Sequence, residues 1–205
     1  MSEGVFIHPQ ALVETDLIGS GTRVWAFAHI MKGAVIGPDC NICDHSFIES
    51  GSVIGRGVTI KTHVDVGEAV TIKDGVFVGP QVVFTNDQRP RSPRLALAKA
   101  RYAAKENWLR PTVVEEGATL GAGVVVSCGI TIGAWSFAAA GAVLLQDVAP
   151  FTLVVGNPAR PVGYVCACGA PLTLVDGKAT CSECGKTYTL QGRTLVPDHP
   201  IDLWK

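Results

Sequence analysis

The sequence has no long apolar segment and no excess of charge of either sign. No apolar run approaches the roughly 20 residues that span a membrane, and the start Met1-Ser2-Glu3-Gly4 lacks the basic and apolar parts of a secretory signal. With 17 basic and 18 acidic residues the formal charge is -1, which gives no electrostatic reason to expect nucleic acid or an anionic membrane as a partner. We therefore expect a cytoplasmic protein, and 47% apolar residues exclude a disordered one.

Helical and strand periods are also missing from the first half of the chain, where apolar residues recur at every sixth position instead. The positions of this column are Phe6, Leu12, Ile18, Val24, Ile30, Ile36, Ile42, Ile48, Ile54, Ile60, Val66, Ile72, Val78 and Phe84, and the column resumes at Val114, Leu120, Val126, Ile132, Ala138 and Leu144. Four residues after each large residue, from Ile18 onward, stands a small or β-branched residue. Two such columns in register predict a regular repeat.

One large and one small inward residue in every six is what a narrow prism needs. Glycine often follows the large residue, at the point where the chain must turn a corner and a Cβ would be costly. These glycines are Gly19, Gly55, Gly67, Gly79, Gly121 and Gly133. Three hexads per coil predict an all-β fold, a triangular parallel solenoid that extends over residues 1–161.

The repeat is interrupted at about residues 85–111, and a long excursion from a compact solenoid is usually functional. Pro90 lies in the first part, which predicts an irregular loop, whereas residues 95–106 are rich in helix formers and predict a short helix that leans on the solenoid. Seven of the chain's basic residues lie between Arg89 and Arg110, opposed within that span only by Glu106. This local charge suits a phosphorylated ligand, although a solvated helix face gives the same pattern.

Three runs carry a family resemblance that covers nearly the whole chain. They are residues 22–30 (TRVWAFAHI), residues 39–49 (DCNICDHSFIE), and residues 78–80 (VGP) leading into residues 84–87 (FTND). With the more widespread motifs at 117–122 and 155–160, they resemble the hexapeptide-repeat N-acetyltransferases that act on nucleotide-linked 3-amino sugars in bacterial surface-polysaccharide synthesis. The resemblance implies a left-handed parallel β-helix, acetyl-CoA as cosubstrate, and a homotrimer with the active site between neighbouring subunits.

The resemblance also implies roles for individual residues. It places Asn86 and Asp87 beside the sugar and its amine, and Arg91 near the anionic groups of the ligand. It extends the substrate site to Glu49 and His45. Turn formation by Asn86 and Asp87 is the alternative. Because a sugar amine is only modestly basic, it can attack a thioester without a strong base, so positioning carries much of the catalysis and Asn86 is a candidate oxyanion donor.

The histidines follow the repeat. His45 and His63 share a hexad position eighteen residues apart, so we expect them to stack on one edge, with Gln81 extending the column. His29 lies in one of the matched runs and is a candidate base or nucleotide-sugar contact. An equal alternative for His29, His45 and His63 is a structural role, in which the hydrogen bonds of the ring are satisfied in a subunit interface.

Small residues in the later coils indicate where the cofactor lies. Pantetheine is expected near Ala139, Ala140 and Gly141, because small side chains permit close approach. Arg160, after a Gly-Asn-Pro turn, is the candidate ligand for the CoA phosphates.

Two cysteine pairs lie after the repeats, and each pair is followed by glycine. The pairs are separated by twelve residues, a spacing typical of a four-thiolate zinc site: Cys166, Cys168, Cys181 and Cys184. We expect residues 162–205 to form a zinc ribbon with a hairpin over residues 172–177 and a strand over residues 187–190, whose structural metal substitutes for a core. A redox-active disulfide is the alternative.

Three further readings stay open at this point. The same fold would serve an O-acetyltransferase or a trimeric scaffold without catalytic activity. Within the N-acetyltransferases, the repeat motifs favour dTDP-linked 3-amino-6-deoxy sugars, whereas the tail favours UDP-linked 3-amino-uronates.

Overall fold

The computed structural model describes residues 4–204, and it is a parallel β-helix with a small β domain at its C-terminal end. Each hexad forms a strand of two or three residues and a turn. Three successive hexads close one coil, and residues eighteen positions apart pair in parallel, as Val24 pairs with Ile42. Three narrow sheets therefore form the faces of a prism.

The strands of each face stack in chain order over the described residues. Sheet A contains β1 (Phe6–Ile7), β3 (Arg23–Val24), β6 (Asn41–Ile42), β9 (Thr59–Ile60), β12 (Phe77–Val78), β15 (Thr119–Leu120), β18 (Phe137–Ala138) and β20 (Thr152–Val155). Sheet B contains β2 (Leu12–Val13), β4 (His29–Ile30), β7 (Phe47–Ile48), β10 (Asp65–Val66), β13 (Val83–Phe84), β16 (Val125–Val126) and β19 (Val143–Leu144). Sheet C contains β5 (Val35–Ile36), β8 (Val53–Ile54), β11 (Val70–Ile72), β14 (Thr112–Val114) and β17 (Thr131–Ile132).

The core is the stack of large inward residues that the period of six predicts, and from Ile18 to Leu144 these residues are buried. The prediction is wrong at the first two positions. Phe6 and Leu12 are 42% and 54% exposed, and their neighbours Ile7 and Val13 pack against the core instead. Ile18 follows Val13 by five positions instead of six, so the inward register slips by one residue between them.

The corner glycines are required by the close approach of the next coil. A Cβ on Gly121 would lie 2.6 Å from the Ala140 backbone nitrogen, and one on Gly19 would lie 2.3 Å from that of Pro38. No side chain fits at such distances. The left-handed backbone conformation is found two residues further on, at the last residue of each turn.

The insertion leaves the prism after Phe84 and returns at Thr112, close to the predicted bounds. The predicted helix is replaced by three separate 3₁₀ turns, Ala96–Ala98, Arg101–Ala103 and Lys105–Asn107. Isolated helices shorter than about 12–15 residues are marginal in water. Here the extended conformation of Ala104 separates the last two turns. Arg101 and Tyr102 of the second turn bond to Asp87 within the insertion, and Lys105 of the third turn pairs with Glu68 of the prism.

The C-terminal domain continues sheet A. Strand β21 (Arg160–Val165) pairs antiparallel with β20 and then with β22 (Pro171–Leu172), so the boundary expected at residue 161 falls inside a strand that both domains share. A second sheet contains β23 (Lys178–Thr180), β24 (Thr187–Gln191) and β25 (Thr194–Pro197). The predicted hairpin is confirmed, since Val175 bridges to Lys178 across Asp176 and Gly177, which both have positive φ.

The end of the chain folds back onto the prism. The Trp204 ring lies over Arg56, with 4.4 Å between the guanidinium carbon and the ring centroid, and it fills the space that a Cβ on Gly57 would occupy. Leu203 fills the corresponding space at Gly75. The C-terminal domain is thus fastened at both of its ends.

Within residues 4–204, no helix is long and apolar enough to cross a membrane. The expectation of no secretory signal rested partly on Met1, Ser2 and Glu3, which lie outside the described residues.

Candidate active site

The candidate site lies along the corner of the prism that joins sheet B to sheet C, which we call the insertion edge. It consists of the turns at residues 31–34, 49–52, 67–69, 127–130 and 145–147, together with the insertion. The insertion replaces one turn of this edge. The next coil holds its start, because Cys128 donates its N–H to the Thr85 hydroxyl at 3.0 Å. Its two ends are joined to each other, because Arg110 donates its N–H to the Asn86 carbonyl at 3.1 Å.

Glu49 and Asn86 meet at the centre of this edge. Glu49 accepts a hydrogen bond from the Glu68 N–H at 2.6 Å and one from the Asn86 side-chain Nδ2 at 3.4 Å. Because Nδ2 faces Glu49, the Asn86 carbonyl Oδ1 and the second N–H of its amide are left for a ligand. The structure therefore brings together two of the predicted site residues.

Asp87 is occupied by the insertion itself. Its side chain is 7% exposed, pairs with Arg101, and accepts from the Tyr102 hydroxyl at 2.7 Å and the Arg89 N–H at 2.8 Å. Burial opposes ionisation, but these donors and the positive charge of Arg101 together hold the pKa of Asp87 below its ordinary value. In this conformation Asp87 anchors the loop, so its contact with a sugar stays a prediction.

Six of the seven cations of the insertion divide into two groups, and the seventh, Arg110, donates to backbone carbonyls. Arg101 and Lys105 are consumed by ion pairs with Asp87 and Glu68. Arg89, Arg91, Arg94 and Lys99 are exposed, and no carboxylate in the described part of the chain forms an ion pair with them. The guanidinium of Arg91 rests on the Pro90 carbonyl at 2.9 Å, while its N–H is held by the Tyr102 hydroxyl at 2.9 Å. The backbone of Arg91 is thus fixed, and its charge faces solvent.

His29 lies on the outer face of sheet B, away from Asn86. Three strand spacings of about 4.8 Å separate β4 from β13, which amounts to about 14 Å. The His29 Nε2 is shielded from solvent and has no hydrogen-bond partner among the described residues, with the Glu14 carboxylate 3.5 Å away. His29 and Asn86 therefore do not meet within one chain, although an extended ligand on sheet B can touch both.

His45 lies on a different corner, the one that joins sheet A to sheet B. The predicted stack is confirmed there: the rings of His45 and His63 are 4.8 Å apart and nearly parallel, and Phe27 continues the stack at 4.9 Å from His45. Gln81 occupies the next position, and all four residues have positive φ. His45 is therefore separated from Glu49 and Asn86 by the strand β7.

The candidate cofactor residues Ala139, Ala140 and Gly141 lie on the same corner as His45, in a later coil. A Cβ on Gly141 would meet nothing within 4 Å, so this part of the corner is open to close approach. Arg160 lies beyond the last coil and borders a cavity of about 840 Å³ between the prism and the C-terminal domain.

The four cysteines of the C-terminal domain converge. All four sulfurs lie within 4.8 Å of one another. The Cys166–Cys184 and Cys168–Cys181 sulfur pairs are separated by 3.4 Å and 3.6 Å. A tetrahedral ion with bonds of about 2.3 Å to sulfur requires sulfurs about 3.8 Å apart, so the residues fit zinc.

Backbone donors favour the thiolate form of Cys181, whereas burial raises the pKa of Cys166 and of Cys168. The N–H groups of Cys184 and Glu183 point at the Cys181 sulfur and lower its pKa to about 6. The Tyr188 hydroxyl lies 3.0 Å from the Cys166 sulfur and also accepts the Ala167 N–H at 3.0 Å. Such outer contacts orient ligands around a metal ion.

The chain is similar to known proteins in its repeat and over most of its length. The family model of the bacterial transferase hexapeptide (six repeats) matches residues 17–50. A dTDP-3-amino-3,6-dideoxy-alpha-D-galactopyranose 3-N-acetyltransferase of Aneurinibacillus thermoaerophilus is 46% identical over 187 residues, which cover 91% of this chain and 92% of the relative. The chain belongs to the hexapeptide-repeat N-acetyltransferases of nucleotide-linked 3-amino sugars. Its fold is therefore the left-handed parallel β-helix that the resemblance implied.

Other relatives of this N-acetyltransferase are more distant. An acyl-[acyl-carrier-protein]--UDP-N-acetylglucosamine O-acyltransferase of Brucella ovis is 40% identical over 63 residues, 30% of this chain and 23% of the relative. The solved structure of a variant of AntD, an N-acyltransferase from Bacillus cereus, in complex with dTDP and coenzyme A has a TM-score of 0.52 at 14% identity, and covers 78% of this chain and 82% of that one. The latter likeness concerns the fold alone.

Sequence reasoning missed several residues of this site. Arg101 and Tyr102 were part of a generic basic, helix-forming stretch, and only the folded loop brings them to Asp87. Glu68 and Lys105 tie the end of the insertion to the prism. Glu68 was visible in the sequence as an acidic residue nineteen positions after Glu49, about one coil further along the same edge, which is the signal that would have found it.

Proposed function

We propose that this protein transfers the acetyl group of acetyl-CoA to the 3-amino group of a dTDP-linked 3-amino-3,6-dideoxyhexose, in bacterial surface-polysaccharide synthesis in the cytoplasm. The observation that carries the proposal is the 46% identity, over nine-tenths of the chain, with an enzyme of this name. It favours dTDP over UDP, although the cysteine-rich tail had favoured a UDP-linked uronate.

The reaction needs a nucleophile, a thioester and a place for a developing charge. The lone pair of the amine attacks the thioester carbonyl, a C–N bond forms, and the carbonyl oxygen takes the negative charge. The C–S bond then breaks with its electron pair on sulfur. Nitrogen loses one proton and sulfur gains one, so the products are the amide and the CoA thiol.

Asn86 is the residue that orients this attack. Its Nδ2 is held by Glu49, so Oδ1 is free to accept a hydrogen bond from the sugar amine and direct the nitrogen lone pair towards the thioester. The second N–H of the same amide is free for the oxyanion. Glu49 acts by positioning Asn86, and its carboxylate offers a nearby acceptor for a proton.

The exposed cations of the insertion supply the charge that a nucleotide diphosphate needs. Arg91 is the foremost candidate, because its backbone is fixed by Tyr102 while its guanidinium is exposed. Arginine binds phosphate oxygens through two parallel hydrogen bonds. His29, about 14 Å from Asn86 along sheet B, is then placed to contact the far part of the same extended ligand.

A homotrimer is part of the proposal. A single chain offers its candidate residues on the open outer face of sheet B and on two different corners of the prism. A neighbouring chain against this face would supply the missing wall. Sedimentation equilibrium of the purified protein tests this, and a monomer would contradict it.

The four cysteines are proposed to hold a structural zinc ion. Four thiolate ligands leave no open coordination position for substrate, so the ion would stabilise the C-terminal domain rather than take part in acetyl transfer.

The decisive assay measures CoA thiol release with three acceptors: a dTDP-linked 3-amino-3,6-dideoxyhexose, a UDP-linked 3-amino-uronate, and the dTDP sugar with a hydroxyl in place of the amine. We expect release with the first acceptor only, and an N-acetyl product by mass spectrometry. Transfer to the hydroxyl analogue would favour an O-acetyltransferase, and no transfer to any acceptor would favour a scaffold. Either result contradicts the proposal.

A further inference from the structure

A cavity lies between the last coil of the prism and the C-terminal domain, and we call it the junction cavity. It has a volume of about 840 Å³, and its lining includes Leu145, Asp147, Arg160, Val162 and Arg193. A cavity of this size is typical of small-molecule sites, which fall at about 300–1,000 Å³. Its floor belongs to the repeats and one of its walls to the C-terminal domain.

Both arginines are held on fixed backbone. Arg160 begins β21, which is bonded to both neighbouring strands, and its guanidinium rests on the Ala159 carbonyl at 2.8 Å. Arg193 stands at the tip of the two-residue turn between β24 and β25, where Gln191 pairs with Thr194. Gly192 before it has a φ of +64°, as the first central residue of a type II′ turn requires. Arg160 at the start of β21 and Arg193 at the turn between β24 and β25 therefore line the same cavity from two different sheets.

The chemistry of the walls suits a phosphorylated nucleotide. The cavity has two guanidinium groups but only one carboxylate, Asp147, which already accepts the Thr131 N–H at 2.7 Å. Apolar surface lies beside them, since Leu145 and Val162 are 56% and 58% exposed. Guanidinium groups bind phosphate in a bidentate manner, and exposed aliphatic side chains give a planar base a surface on which to lie.

The position of the junction cavity relates it to the candidate active site. Its residues 145–147 form a turn of the insertion edge, two coils beyond the turn from which the insertion starts. At about 4.8 Å per coil the distance from Asn86 is about 10 Å. The intervening turn at residues 127–130 is bonded to Thr85 through Cys128. An elongated ligand with one end at Asn86 can thus run along this edge and place its other end in the cavity.

We propose that the C-terminal domain completes the cofactor site, and that the junction cavity binds the phosphorylated adenosine end of CoA through Arg160 and Arg193. This inference rests on the proposed function and extends it by giving the C-terminal domain a role in substrate binding. A nucleoside diphosphate of the sugar substrate has the same recognisable chemistry. CoA is favoured because the proposed function directs the far part of the nucleotide sugar towards His29 on β4, whereas the cavity lies beyond Asn86 in the opposite direction along the prism.

Calorimetry with three probes separates these sources: CoA, adenosine 3′,5′-bisphosphate, and dTDP. For Arg193→Ala in the full-length protein we expect affinity for CoA and for the bisphosphate to fall about tenfold, with affinity for dTDP unchanged. Arg193→Lys, which keeps the charge, recovers part of the loss. The matched control is Lys178→Ala, which removes another exposed cation of the same domain that does not line the cavity, and it leaves all three affinities unchanged. Loss of dTDP binding instead of CoA binding, or no change in any probe, would overturn the proposal.

Steady-state kinetics give a second readout. Because Arg193 is remote from the reacting atoms, Arg193→Ala should raise the KM for acetyl-CoA about tenfold and leave kcat at saturating acetyl-CoA unchanged. If the wild type acetylates amino sugars but Arg193→Ala behaves as the wild type, the cavity proposal fails and the proposed function survives. If the wild type acetylates no amino sugar yet binds the bisphosphate through Arg193, the proposed function fails and the cavity site survives.

Discussion

Replacement of Asp87 by alanine tests whether this carboxylate anchors the insertion or contacts the sugar. The change removes the carboxylate that accepts from Arg101, the Tyr102 hydroxyl and the Arg89 N–H. The Arg101 side chain is 22% exposed and the Asp87 side chain is 7% exposed. Removal of one partner from a buried ion pair costs about 3–5 kcal/mol, and Arg101 recovers part of this cost by reaching solvent when the loop opens. We therefore expect the free energy of opening the insertion to fall by about 3 kcal/mol. Because 1.4 kcal/mol corresponds to a factor of ten, the population of the open insertion rises about 100-fold.

Limited trypsin digestion measures this population, because the insertion carries exposed cleavage sites at Arg91, Arg94 and Lys99. Cleavage of a transiently opened segment follows the open fraction when reclosing is fast. We expect cleavage of Asp87→Ala to be about 100-fold faster than that of the wild type, and that of Glu106→Ala, which removes an exposed carboxylate from the same segment, to be unchanged. If Asp87→Ala stays as resistant as the wild type and loses turnover, Asp87 acts on the sugar and the anchoring role is refuted.

The same ion pair predicts a dependence on pH. The pKa of Asp87 is lower in the folded protein than its ordinary value of about 3.9. Its contribution to loop stability is therefore complete above that value, and it is lost as the pH falls through the folded pKa. Hydrogen exchange of the insertion should accelerate in this acid range relative to the prism, and it should not do so in Asp87→Ala.

Three further predictions concern the site, the repeat and the metal. Asn86→Ala and His29→Ala should each reduce turnover at least tenfold in the thiol-release assay, and wild-type rates would remove the residue concerned from the site. Gly121→Ala should lower the free energy of unfolding in urea by about 3 kcal/mol, because its Cβ would lie 2.6 Å from the Ala140 nitrogen. Gly123→Ala, whose Cβ meets nothing within 4 Å, should cost only the left-handed backbone penalty of about 1–2 kcal/mol. Equal costs would contradict the steric account. Elemental analysis should find one zinc per chain, and chelation or Cys181→Ser should unfold the C-terminal domain while the prism keeps its strand signal in circular dichroism; a protein with full stability and no metal would contradict the zinc site.

The repeat could be predicted from the sequence because one rule, a large residue at every sixth position, is enforced by the same contact in every coil. The stacking of His45 on His63 follows from that rule alone. The slip at Ile7 and Val13 could not be predicted, because both alternatives, Phe6 with Leu12 and Ile7 with Val13, are apolar. Only the pairing of Ile7 with Val24 decides between them.

The insertion and the tail were less predictable for a different reason. Their conformations depend on contacts between parts of the chain that share no period, such as Tyr102 with Asp87 and Trp204 with Gly57. Residues 95–106 have a high helical propensity, but these tertiary contacts override it. The cysteine cluster was predictable because the ligand spacing is itself the chemical requirement of the site, whereas the place of Arg193 at the junction cavity depends on how the two domains meet.

The most direct test of the account is a crystal structure with CoA and a dTDP-linked 3-amino-3,6-dideoxyhexose bound together. The account predicts that the sugar amine lies within hydrogen-bond distance of Asn86 Oδ1, with the CoA sulfur beside it at the insertion edge. A sugar amine bound at a different corner of the prism, out of reach of Asn86, would contradict it.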